Sequence, residues 1–223
     1  MKQAIKQHAP WAVALWRRFT HRHLLGGKPQ DVFSRIYQKN HWGATESISG
    51  AGSSSRQTAA IRAALPTVLP ALGKTLLDVP CGDFNWQKDA IPPGMRYIGG
   101  DIVPELIQRN RVVQPAMDFR VIDLITDDLP MSDVLLTRDC LVHLSFPDAL
   151  KAIENIRRSG IRYLIATTFV GRRFNEDIPT GAWRPLNMRL APFDFPEPLQ
   201  LIDENCGGEF SDKALGVWRV ADL

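Results

Sequence analysis

From residue 57 onward, short apolar runs alternate with stretches whose apolar residues recur at helical spacing. The strand-like runs are TLLDVP (75–80), YIGGDIV (97–103), DFRVIDL (118–124), SDVLLTRDC (132–140) and YLIATTF (163–169). Each is short, nearly continuous in apolar residues and closed by a polar residue or turn, as strands buried on both faces are. Between them lie RQTAAIRAALPTVLPAL (56–72), VPELIQRNRVV (103–113) and FPDALKAIENIRRSG (146–160), which predict helices. The third is the best marked: Ser145 stands as a cap, Pro147 and Asp148 fall in the first turn, arginines in the last, and Gly160 beyond. This alternation predicts an open α/β sheet whose strands are largely parallel.

After residue 169 the alternation stops. The stretch RRFNEDIPTGAWRPLNMRLAPFDFPEP (172–198) is rich in Pro, Arg and aromatics without a helix period. A loop of this length in a small protein is functional or disordered, and Trp183, Phe193 and Phe195 argue for order. LQLIDENC (199–206) and KALGVWRV (213–220) then predict an antiparallel hairpin across GGEFSD. Ahead of the sheet, Tyr37–Thr58 mixes glycines, hydroxyls and aromatics (Asn40, Trp42, Glu46, Ser53, Ser54, Arg56), which suits a segment that orders over a ligand or a plain surface linker. The expected division is an N-terminal helical segment and cover over 1–56 and the sheet domain over 57–223.

Composition narrows the function classes without choosing one. The 223 residues, 44% hydrophobic and 23% charged, are those of a globular protein with one ordinary core. A net charge of +3 argues against nucleic acid as partner, although WRRFTHRHLLGGK (16–28) gathers basic and aromatic residues. The apolar WAVALW (11–16) is too short for a membrane span or signal core and runs into arginines, so a cytoplasmic protein with no membrane partner is expected. Cys81, Cys140 and Cys206 form no CxxC pair, so neither a disulfide framework nor a metal site is expected, and none is assigned as a nucleophile.

The candidate chemistry lies at the ends of the predicted strands. LLDVPCGDFNW (76–86) drives an apolar run into a glycine turn flanked by Asp78 and Asp83, at the sheet edge where open α/β folds bind ligands. A dinucleotide site would need G-x-G-x-x-G, of which only Gly82 is present. Asp101, ending the second strand, lies where an acid can accept from both hydroxyls of a ribose. Asp123 ends the third. The fourth delivers TRDCLVHLS (137–145), with Asp139 and His143 four residues apart. A turn of helix would bring those two to one side, where an imidazole could take a proton from an acceptor. A capping or core histidine is the alternative.

Together with YQKNHWGATESISGAGSSSRQT (37–58) and GAWRPLNMRLAPFDFPEP (181–198), these motifs resemble a family of small bacterial class I S-adenosylmethionine-dependent methyltransferases over roughly residues 33–220. The resemblance implies a Rossmann-like, seven-stranded, mostly parallel sheet with a C-terminal antiparallel hairpin and helices on both faces. It implies S-adenosylmethionine as cofactor. The amino-acid end would lie against Asp78, Pro80, Cys81, Gly82, Asp83 and Trp86, the ribose against Asp101 and Ile102, the adenine against Asp123 and Leu124, with Arg138 and Asp139 nearby. His143 or Asp139 would serve as base. The acceptor, an oxygen or nitrogen of a small polar or glycan-type molecule, would meet Tyr37, Trp42, Asn175, Asp177, Trp183, Arg184 and Asn187. The Asn/Asp-Pro-Pro-aromatic signature of base and glutamine methylation is absent. Rival readings are a nucleic-acid methyltransferase and a non-catalytic adaptor that binds the cofactor.

Overall fold

Neighbouring apolar residues of one strand must leave on opposite faces of a sheet, and the packing here follows that period. A computed structural model describes residues 26–223, so WAVALW and nearly all of the basic N-terminal stretch lie outside the described residues. In β1 (Thr75–Asp78), Leu76 packs with Ile61 and Leu65 of helix α2 (Ala59–Leu72), while Leu77 packs on the other face. There it meets Ala149, Ile153 and Ile156 of α4 (Phe146–Arg158). Leu164 and Ile165 of β5 (Tyr163–Phe169) split in the same way. Helices therefore cover both faces, and the strands are apolar on both sides because neither side meets water.

The remaining elements are α1 (Pro29–Gln38), β2 (Arg96–Asp101), α3 (Pro104–Val113), β3 (Asp118–Val121), β4 (Val134–Thr137), β6 (Gln200–Asp203) and β7 (Lys213–Arg219). The sheet order is β3-β2-β1-β4-β5-β7-β6, parallel from β3 through β5, with β7 antiparallel to both β5 and β6. This is the expected seven-stranded arrangement. The order reverses between β1 and β4, so the loops after these two strands flank a crevice at the carboxyl edge. Because β7 runs backward, its first residue, Lys213, lies at that same edge opposite Phe169.

Several strands are shorter than their apolar runs, each for a local reason. Beyond Asp78 comes Pro80, which has no N–H to continue a ladder. β3 stops at Val121 because Asp123 turns the chain, its carboxylate accepting from Ile125 N at 2.9 Å. β4 stops before Asp139, whose φ of 55° is left-handed, and a short 3₁₀ turn, Leu141–His143, follows. Helix α4 begins as its sequence predicts, with Ser145 Oγ accepting from Asp148 N. Residues 172–198 hold neither helix nor strand, yet the loop is pinned to the sheet: Phe169 N donates to Leu186 O, and the Phe195 ring packs edge-on against Trp218.

Candidate active site

The turn after β1 is built around Gly82, at φ 55°. A side chain there would be strained and would run into Ser49, whose Oγ would lie 2.5 Å from an added Cβ. Asp101 Oδ2 accepts from Gly82 N at 3.2 Å and its Oδ1 from Val103 N at 3.0 Å. Asn110 of α3 donates to Gly82 O at 2.7 Å. Behind the turn, Asp78 Oδ2 accepts from Tyr97 Oη at 2.8 Å and Gln87 Nε2 at 3.0 Å.

Burial dominates both acids. It pushes the Asp78 carboxyl up to about 7 against the pull of Tyr97 and Gln87, and Asp101 up to about 6 against three backbone N–H groups. Asp123, less enclosed, is also raised by burial. Burial raises the Cys81 thiol and takes Cys140 to about 12, so both are held as thiols and are poor nucleophiles.

The end of β4 is different. Arg138, almost fully buried, donates to Glu204 Oε2 at 2.6 Å, to the carbonyl of Gly52 at 2.9 Å, and lies 3.3 Å from Asp139 Oδ2. Lys213 Nζ closes the group, 2.7 Å from Asp139 Oδ2 and 3.3 Å from Glu204 Oε2. Two anions and two cations thus share one site, largely buried and opening on Asp139. Burial alone would raise the Asp139 carboxyl, but Lys213 and then Arg138 outweigh it and hold it below the ordinary carboxylate range. Its carboxylate is thus committed to two cations, which makes it a poor proton acceptor.

His143 carries no such bond to an acid. Its Nδ1 lies 2.8 Å from Ala182 O, and a carbonyl can only accept, so the proton sits on Nδ1 and Nε2 keeps its lone pair. Burial lowers the imidazole to about 4, so the ring is neutral at physiological pH. Trp42 stacks on it, ring centroids 4.3 Å apart.

The segment before α2 closes over these groups. Asp83 accepts from Ser47 Oγ, Ser49 Oγ and Ile48 N at 2.9 to 3.2 Å. Asn85 donates to Ser53 O, and Glu46 accepts from Ser55 N and Oγ. Asp83 therefore holds the covering segment, and its carboxylate is not part of the cavity wall.

A cavity of about 400 Å³ results, a size suited to a small organic ligand. Of the residues nominated from sequence, Pro80, Cys81, Gly82, Trp86, Asp101, Ile102, Asp123, Leu124, Arg138, Asp139, His143, Tyr37, Trp42 and Trp183 line it. Asp78 stands behind the wall.

Besides Asp78 and Asp83, four further nominated residues are not brought to it. Asn175 donates to the carbonyls of Asn187, Leu190 and Ala191, and Asn187 to those of Val170 and Arg172. Asp177 accepts from Phe146 N, capping the start of α4 beside Ser145. Arg184 is buried, donating to Glu176 O and Leu141 O over the Phe146 ring. A long loop without ladder bonds needs side chains to satisfy its backbone, and these four do that. Sequence reading missed Glu204, Lys213, Gln87, Ser47 and Ser49. The one available signal was a glutamate and a lysine placed on either side of the turn of a predicted hairpin.

No family model and no curated protein matches the sequence. Solved structures do match the fold. The chain is similar to human N-acetylserotonin methyltransferase in complex with S-adenosylmethionine, with a TM-score of 0.61 and 13% identity over 96% of this chain and 68% of that one. It is similar to 1,6-didemethyltoxoflavin-N1-methyltransferase of Burkholderia thailandensis with bound S-adenosylhomocysteine (0.57, 14%, 85% and 86%). A third is magnesium protoporphyrin IX methyltransferase of Synechocystis PCC 6803 with bound S-adenosylmethionine (0.56, 12%, 87% and 98%). The fold is that of the class I S-adenosylmethionine-dependent methyltransferases.

Proposed function

We propose that the protein is an S-adenosylmethionine-dependent methyltransferase acting on an oxygen or nitrogen of a small-molecule acceptor. The observation that carries this is a neutral His143, its Nδ1 committed to a carbonyl, on the wall of a cavity that also holds Asp101, Asp123 and the Gly82 turn. The chain's own groups fit the cofactor. Asp78 Oδ1 and Gln87 Oε1 are buried acceptors with no partner among the described residues, and they stand by the turn where an ammonium group would need acceptors. Asp101 keeps lone pairs for ribose hydroxyls beyond those given to Gly82 N and Val103 N. Asp123 and Leu124 border the adenine position.

When bound, S-adenosylmethionine supplies a methyl group made electrophilic by its sulfonium. The protein's share is alignment, exclusion of water and handling of one proton. The segment from Trp42 to Ser53, latched by Asp83 and Arg138, excludes water. His143 Nε2 accepts the acceptor's proton, and the fixed anion of Asp139 favours the imidazolium that forms. By the same reading 57–223 is the methyltransferase domain and 26–56, the described part of the 1–56 segment, its cover; the rest of that segment lies outside the described residues.

Calorimetry with S-adenosylmethionine and S-adenosylhomocysteine tests the cofactor. Micromolar affinity, about −8 kcal/mol, is expected; no heat and no thermal shift at millimolar ligand sinks the reading. Binding without turnover across a broad acceptor panel would instead make the protein an adaptor.

A further inference from the structure

Around His143 the cavity wall is aromatic. Trp42 stacks on the imidazole, Phe33 of α1 packs on Trp42 with centroids 5.9 Å apart, and Trp183 follows the residue whose carbonyl holds Nδ1. All three rings line the cavity and none is fully buried. Trp183 is braced from behind by Phe210 and Phe169 at 5.2 and 6.1 Å, so it is a fixed wall. Gly181 N donates to His143 O and Arg184 N to Val142 O, which locks this wall to the histidine turn.

The late loop brings no polar side chain to the cavity: of its residues only Trp183 lines it. A polyol presents a hydroxyl on nearly every carbon, and each buried without a partner is costly. Asn175, Asp177, Arg184 and Asn187, the nearest amides and charges in the late loop, are spent on backbone groups away from the cavity. Partly open indole faces are instead apolar area waiting to be covered by another flat ring.

Resting on the methyltransferase reading, we propose that the acceptor is a flat aromatic ring carrying an acidic hydroxyl or ring N–H, seated against Trp42 and Trp183 with that group toward His143 Nε2. The bond formed is heteroatom to methyl, the sulfonium donor keeps the C–S electron pair as a neutral thioether, and the acceptor proton goes to Nε2. Because His143 is a weak base, the more acidic of two acceptors is favoured. With the imidazolium near 4, a phenol of pKa about 10 is a gap of about six units, closed as the new bond forms. A hydroxyl as weakly acidic as water, at about 15.7, leaves a gap nearly twice as wide.

Titrations of 2-naphthol and of methyl β-glucopyranoside, followed by tryptophan fluorescence and calorimetry, test it, each with and without saturating S-adenosylhomocysteine. Expected are quenching and saturable binding by naphthol, strengthened by S-adenosylhomocysteine, and none by the glucoside. Trp42→Ala should weaken naphthol about ten-fold with S-adenosylhomocysteine affinity held within two- to three-fold, and Trp42→Phe should restore most of it. A melting curve confirms that each variant folds. If S-adenosylhomocysteine binds but naphthol does not, or the glucoside binds better, the aromatic acceptor is overturned and the methyltransferase reading stands. If S-adenosylhomocysteine itself fails to bind, both fall.

Discussion

Two aspartates at the same sheet edge meet opposite fates. Asp101, ending β2, has backbone N–H groups for partners, and burial leaves it with a carboxyl near 6. Asp139, two residues past β4 and partly exposed, has Lys213 and Arg138, and remains an anion. The pKa of a buried acid is therefore set by whether the fold brings a cation to it, not by its position at a strand end. The β1–β2 side can accept a positively charged ligand and give up protons as it does so. The β4–β7 side is already neutralised internally, so it fixes shape, and in the proposed reading proton transfer falls to His143.

The comparison breaks first if the ion group can be dismantled cheaply. Glu204→Ala leaves Arg138 and Lys213 with one buried anion between them, and should cost about 3–5 kcal/mol, read by urea unfolding. A loss under about 1 kcal/mol would mean that water already reaches the site. Next, His143→Ala should lower turnover by roughly a hundred- to ten-thousand-fold with cofactor affinity nearly intact. Normal turnover would leave proximity alone to do the work, and an unfolded variant would make the histidine a capping residue.

Asp101→Asn sharpens the other side. Cofactor affinity should fall by about 1–3 kcal/mol in calorimetry, while stability at pH 8 changes less, because removal of a buried charge offsets the loss of the one backbone N–H, of Gly82 or Val103, that the amide NH2 cannot accept from. Equal loss of both would show that the turn itself collapsed.

The smallest effect is a slope. Asp78 and Asp101 bind protons more tightly folded than unfolded, so the folded state holds more protons between about pH 4 and 7. Unfolding free energy should therefore fall as pH rises through that window, by up to about 1.4 kcal/mol per pH unit for each such proton. Urea denaturation at pH 5, 6 and 7 measures it, and cofactor binding near pH 6 should release protons, seen as a dependence of the binding heat on the buffer. A stability that rises over this range would remove the account of these two acids.

The strand-helix order, the carboxyl-edge position of the glycine turn and the acids after three strands were legible in the sequence. Each is a local property: period two or 3.6, a glycine where φ must be positive, a polar residue where an apolar run ends. Ser145 as a cap is of the same kind, since a cap acts within one turn of helix. Strand ends were less legible, because Pro80 and Asp123 stop ladders by backbone chemistry that an apolar run does not display.

The roles of charged residues were decided by tertiary structure. Arg138 and Glu204 lie 66 positions apart, Asp139 and Lys213 74, and only the reversed strand β7 carries the lysine to the edge where Asp139 waits. Likewise Asn175, Asp177, Arg184 and Asn187 have the residue types of a ligand site, and the fold spends them on backbone groups of the loop itself and of the turn and helix after β4. A sequence displays which hydrogen-bonding groups a segment owns; how many of them the backbone consumes depends on where the chain folds. Periodicity is set within a few bonds and so is written in order along the chain, whereas the protonation state of a carboxylate depends on charges a few ångströms away in space.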